Sequence, residues 1–385
     1  METSFQGFRR KDHAFGIRNH VAVVSVMDNS NPLVRQICQR VPHTVPVCAT
    51  FGRGAMGPDV VIHKRILVGM ATNPNVHSAV VCGIEKSLVE EVARQIAASG
   101  REVAACVIQR DGGTLGATEK GVRMASLFVQ KASAQRRETC QLSDLSLGLQ
   151  CGGSDATSGI AGNTVTGLVS DFIVACGGTA TLSETVELLG AEHILSRRAV
   201  NEEVGRQLVA KVNRCAEYAL SLGEDLIGSN PVPDNIEGGL TTIEEKSLGA
   251  VKKAGSSPLQ EVVEYGCRPA KKGFVFMDGP APAIENMTGL AAAGVQVIVF
   301  YTGKGNHSGH PLVPVIKCCG NPDTLAIMRE NIDVDLSRVI LGEMDLKAAA
   351  DLVKAHLLEV LNGRLTTAEV LGQGEISISR YALTV

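Results

Sequence analysis

Short apolar runs separated by turns rich in glycine, Asn and Asp recur along the 385 residues of this chain. Val21–Met27 (VAVVSVM) is almost unbroken apolar sequence, the pattern of a parallel strand covered on both faces. A turn, Asp28-Asn29-Ser30-Asn31-Pro32, leads into a helix-period segment over Leu33–Val41. The alternation continues with strand Val45–Ala49, helix Asp59–Gly69, strand Ala79–Cys82, helix Ser87–Ser99 and strand Val103–Ile108. A long helix follows from about Thr114 to Arg137. Charge-rich Lys131–Glu138 interrupts the pattern, which then restarts with a strand at 145–149, a helix at 163–176 and a strand at 178–182. Helix 199–221 and strands Gly273–Met277 and Val295–Phe300 complete it. This grammar predicts an α/β fold of two units, residues 1–138 and 139–385, each with a mainly parallel sheet flanked by helices. Ligands on such sheets bind beyond the carboxyl ends of the strands.

The loop after the 145–149 strand is the most chemical stretch of the chain. Cys151-Gly152-Gly153-Ser154-Asp155-Ala156-Thr157-Ser158-Gly159 packs a thiol, a carboxylate and three hydroxyls between a strand and a helix. Its glycines permit close backbone approach, and the helix start behind it attracts anions. Cys151 is either a metal ligand or a small residue at a strand end. Asp155 and Ser154 either touch a ligand or cap the helix. Other strand-end loops carry Gly52-Arg53-Gly54, Ser183-Glu184 and Thr302-Gly303-Lys304-Gly305-Asn306-His307. Ser229–Thr242 is a long irregular loop of the kind that often serves function.

Composition narrows the classes. A net charge of −3 and 3% aromatics give no electrostatic or stacking basis for nucleic-acid binding. No apolar run approaches the ~18 residues of a membrane span. The 11 cysteines are scattered without a zinc spacing or disulfide framework, and the N-terminus lacks a signal-peptide core, so a reducing cytoplasm is expected.

Several motifs in fixed order resemble one family. Gly7-Phe8-Arg9-Arg10-Lys11-Asp12 with Gly16-Ile17-Arg18-Asn19, then Cys151–Asp155, then Gly238–Gly249 (GGLTTIEEKSLG) and Tyr301–Gly305 are similar to the altronate/galactarate dehydratases. The resemblance runs over almost the whole chain. It implies a lyase that removes an α-proton and expels a β-substituent from a small anionic 2-hydroxy acid, giving a 2-keto acid, with iron(II) or another divalent metal assisting. Only six residues precede Gly7, where single-chain relatives carry a small N-terminal domain. That implies a large subunit served by a separate small SAF-like partner subunit, and self-association is also expected. Arg53 and Ile84 stand where the sugar-acid enzymes usually have cysteines. In this respect the chain resembles the sulfo-lyase branch, which expels sulfite from 3-sulfolactate to leave pyruvate; Gly153 and Ala156 resemble the sugar-acid branch instead. An inactive acid-binding partner subunit is the alternative from another class.

The resemblance and the loops together nominate Lys246, Glu184 and His63 for catalysis. Arg53, Ser154, Asp155, Thr157, Ser158, Lys304 and Asn306 are nominated for substrate, with Lys317 beside the same Gly-rich loop. Cys151, Asp155 and His307 are nominated for metal. Arg53, Cys151, Ser154, Asp155, Glu184, Lys246 and Asn306 are expected to converge on one pocket.

Overall fold

The structure, a computed structural model, describes residues 3–382. Its strands run β1 (Ser4–Arg9), β2 (Phe15–Gly16), β3 (His20–Ser25), β4 (Thr44–Val47), β5 (Val76–Gly83), β6 (Glu102–Val107) and β7 (Glu138–Gln141). They continue as β8 (Ser146–Cys151), β9 (Thr179–Leu182), β10 (Leu259–Val263), β11 (Gly273–Met277), β12 (Val297–Tyr301), β13 (Val315–Cys319) and β14 (Val334–Asp335). Helices α1 (Asn31–Arg40), α2 (Pro58–Ala71), α3 (Lys86–Ala98) and α4 (Gly113–Ala134) alternate with β3–β6, and α5 (Asn163–Ala175) follows β8.

Two parallel sheets result. The first has four strands in the order β4-β3-β5-β6, and the second seven in the order β10-β11-β9-β8-β12-β13-β14. Every residue of β3 beyond His20 is buried, as its unbroken apolar run requires. β8 occupies the middle of the larger sheet, so its carboxyl end opens into the protein's interior rather than at an edge.

A third, antiparallel sheet was not anticipated from the sequence. β1 lies between β2 and β7, which ties the start of the chain to the segment just before β8. Hydrophobic periodicity misses it because the strands are short and half exposed. β10, β13 and β14 are also additional to the predicted strands. Polar Gln260 and Glu261 disguise β10, and buried Lys317 disguises β13. The long loop at 229–242 contains a short helix, Pro233–Glu237.

The two parallel sheets share apolar packing. Ile66, Leu67 and Met70 of α2 belong to one buried cluster with Met287, Leu290 and Ala291 of the helix Ala283–Ala292. Residues 376–382 return from the larger sheet to the smaller, where the Tyr381 and Ala382 amides donate to the Asp59 carboxylate, each at 2.9 Å. No helix among the described residues is long and apolar enough to cross a membrane.

Candidate active site

The alternation of β8 sends Leu147, Leu149 and Cys151 into one apolar core. At the strand end this leaves the Cys151 thiol buried and facing whatever the neighbouring segments supply. β9 ends one residue before Ser183, and Glu184 then takes φ +72°, a left-handed conformation uncommon for a residue with a Cβ. The 3₁₀ turn Thr185–Leu188 follows, and its three-residue repeat places Glu187 on the same side as Glu184. The fourth side chain comes from a second 3₁₀ turn, Val251–Ala254, held against α5. Gly167 of α5 makes that contact possible, since a Cβ there would lie 2.2 Å from the Lys252 carbonyl oxygen.

These segments bring Cys151, Glu184, Glu187 and Lys253 together, all buried. Lys253 Nζ lies 2.9 Å from Cys151 Sγ, 3.0 Å from Glu184 Oε2 and 2.9 Å from Glu187 Oε2. Cys151 Sγ is 3.3 Å from Glu187 Oε2, and Gln150 Nε2 donates to Glu184 Oε1 at 2.9 Å. Burial, reinforced by the Glu187 charge, raises the Glu184 carboxyl to about 8. Burial likewise pushes the Cys151 thiol up. Burial would also raise Glu187, but the Lys253 and Lys246 charges outweigh it and hold that carboxyl at about 2. Lys253 gains enough from Cys151, Glu184 and Glu187 around it to overcome desolvation, so its ammonium is retained. At neutral pH the cluster therefore contains an ammonium, an ionised Glu187 and a protonated Glu184.

Beside the cluster is a cleft of about 290 Å³, whose walls include Ser154, Asp155, Ser158, Asn163, Glu187 and Lys246. Glu187 thus belongs to both the buried cluster and the cleft wall. Lys246 Nζ donates to two neutral amides, Asn230 Oδ1 at 3.0 Å and Asn235 Oδ1 at 3.3 Å. Asn235 in turn donates to the Ser154 carbonyl at 2.9 Å, which joins the long loop to the Cys151 loop. Three buried atoms here lack a hydrogen-bond partner: Asn163 Oδ1, Ser247 Oγ and Gln150 Oε1. Unpaired polar atoms are costly in a protein interior, and each of these three could bond a ligand in the cleft or cluster.

The nominated residues divide by location. Cys151, Glu184, Ser154, Asp155, Ser158 and Lys246 meet at the cluster or the cleft wall. Asp155 is a scaffold there. Its Oδ1 accepts from the Thr157 amide at 2.9 Å and hydroxyl at 2.5 Å, and its Oδ2 from Asn321 Nδ2 at 2.8 Å. Gly303 packs so tightly on this carboxylate that a Cβ would sit 2.0 Å from Oδ1. Thr157 is likewise committed, to Asp155 and to Tyr301 Oη at 2.8 Å. Asn306 packs its amide beside Gly152 and accepts from the Ser308 amide. Lys304 is ion-paired with Glu237 at 2.6 Å on an adjoining groove.

Arg53 and His63 do not reach this cleft. The Arg53 side chain is 68% exposed and lies 3.7 Å from Glu85 at the end of the smaller sheet. His63 lines a separate cleft of about 310 Å³ with Gly52, Gly54 and Lys64, and its Nε2 bonds the Val26 carbonyl at 2.8 Å. A helix that packs across β3 places its histidine there, and burial lowers its pKa. His307 is exposed, while its carbonyl accepts from buried Lys317. Lys317 also donates to Ser308 O and Gln373 Oε1, so it is a post for the Gly-rich loop. Cys151, Asp155 and His307 do not gather as a donor set; the carboxylates within reach of Cys151 are Glu184 and Glu187, the three within 4.8 Å of one another. Glu187 and Lys253 escaped the sequence reading. The available signals were the three-residue step from Glu184 and the position of Lys253 just past the Gly238–Gly249 motif.

The donor chemistry fits a divalent metal. One thiol and two carboxylates offer donor atoms within 4.8 Å of one another, and the Lys253 ammonium already contacts all three.

Comparison with known proteins places these elements in a family. Residues 142–384 match the profile described as D-galactarate/Altronate dehydratase, C-terminal, and residues 7–133 that of the D-galactarate dehydratase/Altronate hydrolase second domain. The chain is 39% identical over 379 residues to the (2R)-sulfolactate sulfo-lyase subunit beta of Chromohalobacter salexigens, covering 98% of this chain and 97% of that one. It is 31% identical to an altronate dehydratase of Bacillus subtilis, covering 99% of this chain and 78% of the relative. Against the galactarate dehydratase (L-threo-forming) of Escherichia coli the identity is 33%, with 80% and 61% covered. The chain belongs to the D-galactarate/altronate dehydratase family and is an enzyme of the lyase class.

Proposed function

We propose that the chain is the large subunit of a cytoplasmic lyase that eliminates the β-substituent of a small anionic 2-hydroxy acid to give a 2-keto acid. The observation that carries this reading is a cleft whose wall joins a cation held only by neutral amides, Lys246, to the buried Cys151–Glu184–Glu187 cluster. Lys246 meets the carboxylate of the acid, and the Asn163 and Ser154 side chains on the same wall orient its hydroxyl. Glu187, the ionised carboxylate shared between cleft and cluster, takes the α-proton as the C–H bond breaks and the β-substituent leaves with its bonding pair. Cys151, Glu184 and Glu187 would hold a divalent metal, iron(II) by family resemblance, which supplies Lewis acidity toward the developing enediolate.

Among substrates we favour 3-sulfolactate, cleaved to pyruvate and sulfite. The support is the 39% identity across nearly the full length of a sulfo-lyase subunit beta. That relative's designation as a subunit also supports a small partner polypeptide. A sugar acid is the second reading, favoured by one observation: Arg53, the guanidinium suited to a sulfonate, lies away from the cleft. Incubating the chain with iron(II), a co-expressed small subunit and each acid, with sulfite and 2-keto acid both assayed, separates the readings. Sulfite release with pyruvate establishes the first, and 2-keto acid from altronate or galactarate without sulfite establishes the second. Acid binding without any product overturns both.

A further inference from the structure

Lys253 occupies an unusual position. Its side chain is 1% exposed, and its nitrogen sits at nearly equal distances, 2.9 to 3.0 Å, from the three donor atoms that define the candidate metal site. An ammonium so placed bonds all three donor groups at once and offsets the Glu187 charge. A metal held by the same atoms would draw them to about 2.0–2.3 Å, leaving no volume for Nζ between them.

We propose that Lys253 is a built-in cation occupying the metal position, and that a divalent metal enters the cluster by displacing its ammonium. This rests on reading Cys151, Glu184 and Glu187 as the metal donors. Lys253 then has two effects on one site. It keeps the thiol and both carboxylates assembled before metal arrives, and it opposes every incoming ion with a like charge. Ions that bind thiolate and carboxylate weakly fail to displace it, so the lysine sets a threshold affinity as well as a geometry. No other cation substitutes for it from within the cluster: Gln150, Ser154 and the two glutamates that face it are neutral or anionic, and Lys246 is engaged with Asn230 and Asn235.

The test uses metal-stripped full-length protein and cobalt(II). Cobalt–thiolate charge-transfer absorption reports binding at Cys151, and competition with a chelator gives the dissociation constant. The absorption is expected in the wild type and absent in C151S. In K253M the cobalt affinity should rise by roughly tenfold or more, because no ammonium then has to be displaced from the three donors. K253Q, which keeps a hydrogen-bond donor at the site, should show the same direction and guards against a folding failure of K253M. Without metal, both variants should melt below the wild type, and cobalt should recover more of the loss in them than it adds to the wild type. Equal or weaker cobalt affinity in the variants overturns the proposal, as does an absorption band that is missing in the wild type or persists in C151S. Turnover is not the readout, so failure of the lyase reading with these acids leaves the cobalt result standing, and the reverse also holds.

Discussion

Glu184 illustrates how individual residues carry this site. A non-glycine residue at φ +72° is strained by on the order of 1 kcal/mol, and it is held there because Gln150 and Lys253 bond one carboxylate oxygen each. The same burial raises its pKa to about 8 from an ordinary value of 4.5. Below pH 4.5 the folded and unfolded chains both keep this proton. Between 4.5 and about 8 the unfolded chain releases it while the folded one retains it, so this carboxyl makes stability fall as pH rises. E184Q should therefore gain thermal stability relative to the wild type at pH 8 but not at pH 5, in chelator. An unchanged difference between the two pH values would show that Glu184 titrates normally. At the cleft, K246A should weaken acid binding about 10- to 150-fold, the loss of one charge-assisted contact. R53A should leave it nearly unchanged, since Arg53 faces Glu85. Calorimetric titration of both variants with one acid decides it: equal losses would place Arg53 in the cleft after all. At this scale the sequence was half legible. Cys151, Ser154 and Lys246 stood out by motif, whereas Lys253 reads as one of two solvated lysines in tandem. Only the packing of its turn on α5 buries it.

Elements position these residues through close approaches. The turn Val251–Ala254 lies on α5 at Gly167, so G167A should push Lys253 off the cluster. Overpacking of this kind costs about 1–3 kcal/mol, to be read as a lower urea midpoint. A midpoint equal to the wild type would mean the turn moves freely and does not fix Lys253. Strand order and helix alternation were readable because β3, β5 and β12 are covered on both faces and carry apolar runs, and β8 alternates Leu147 and Leu149 with polar or small residues. β13 was not, since Lys317 sits in its middle. A lysine is ordinarily a solvent signal. Here it is buried, its pKa lowered by burial to about 8, and its amine serves the carbonyls of the loop that follows Tyr301.

For the whole molecule, the two parallel sheets depend on one another. The helix Ala283–Ala292 buries Met287 and Leu290 against α2, and residues 376–382 cross back to Asp59. A fragment of residues 139–385 should therefore be insoluble or melt without a cooperative transition, because it exposes that apolar face. A monodisperse fragment with a sharp calorimetric melt would show that residues 139–385 fold as an independent domain.

The small antiparallel sheet has a consequence for the order in which the molecule is made. β1 leaves the ribosome before the strands of both parallel sheets, yet its partner β7 begins at residue 138. Through synthesis of β3 to β6 and their helices, the leading strand has only the two-residue β2 to pair with. The four-stranded sheet can close locally during that interval, each new strand docking on its predecessors. The N-terminal segment instead waits until the linker arrives, and its pairing then fixes the start of β8, a few residues before Cys151. Delivery of the thiol to its place is thus coupled to the recapture of a segment made more than a hundred residues earlier.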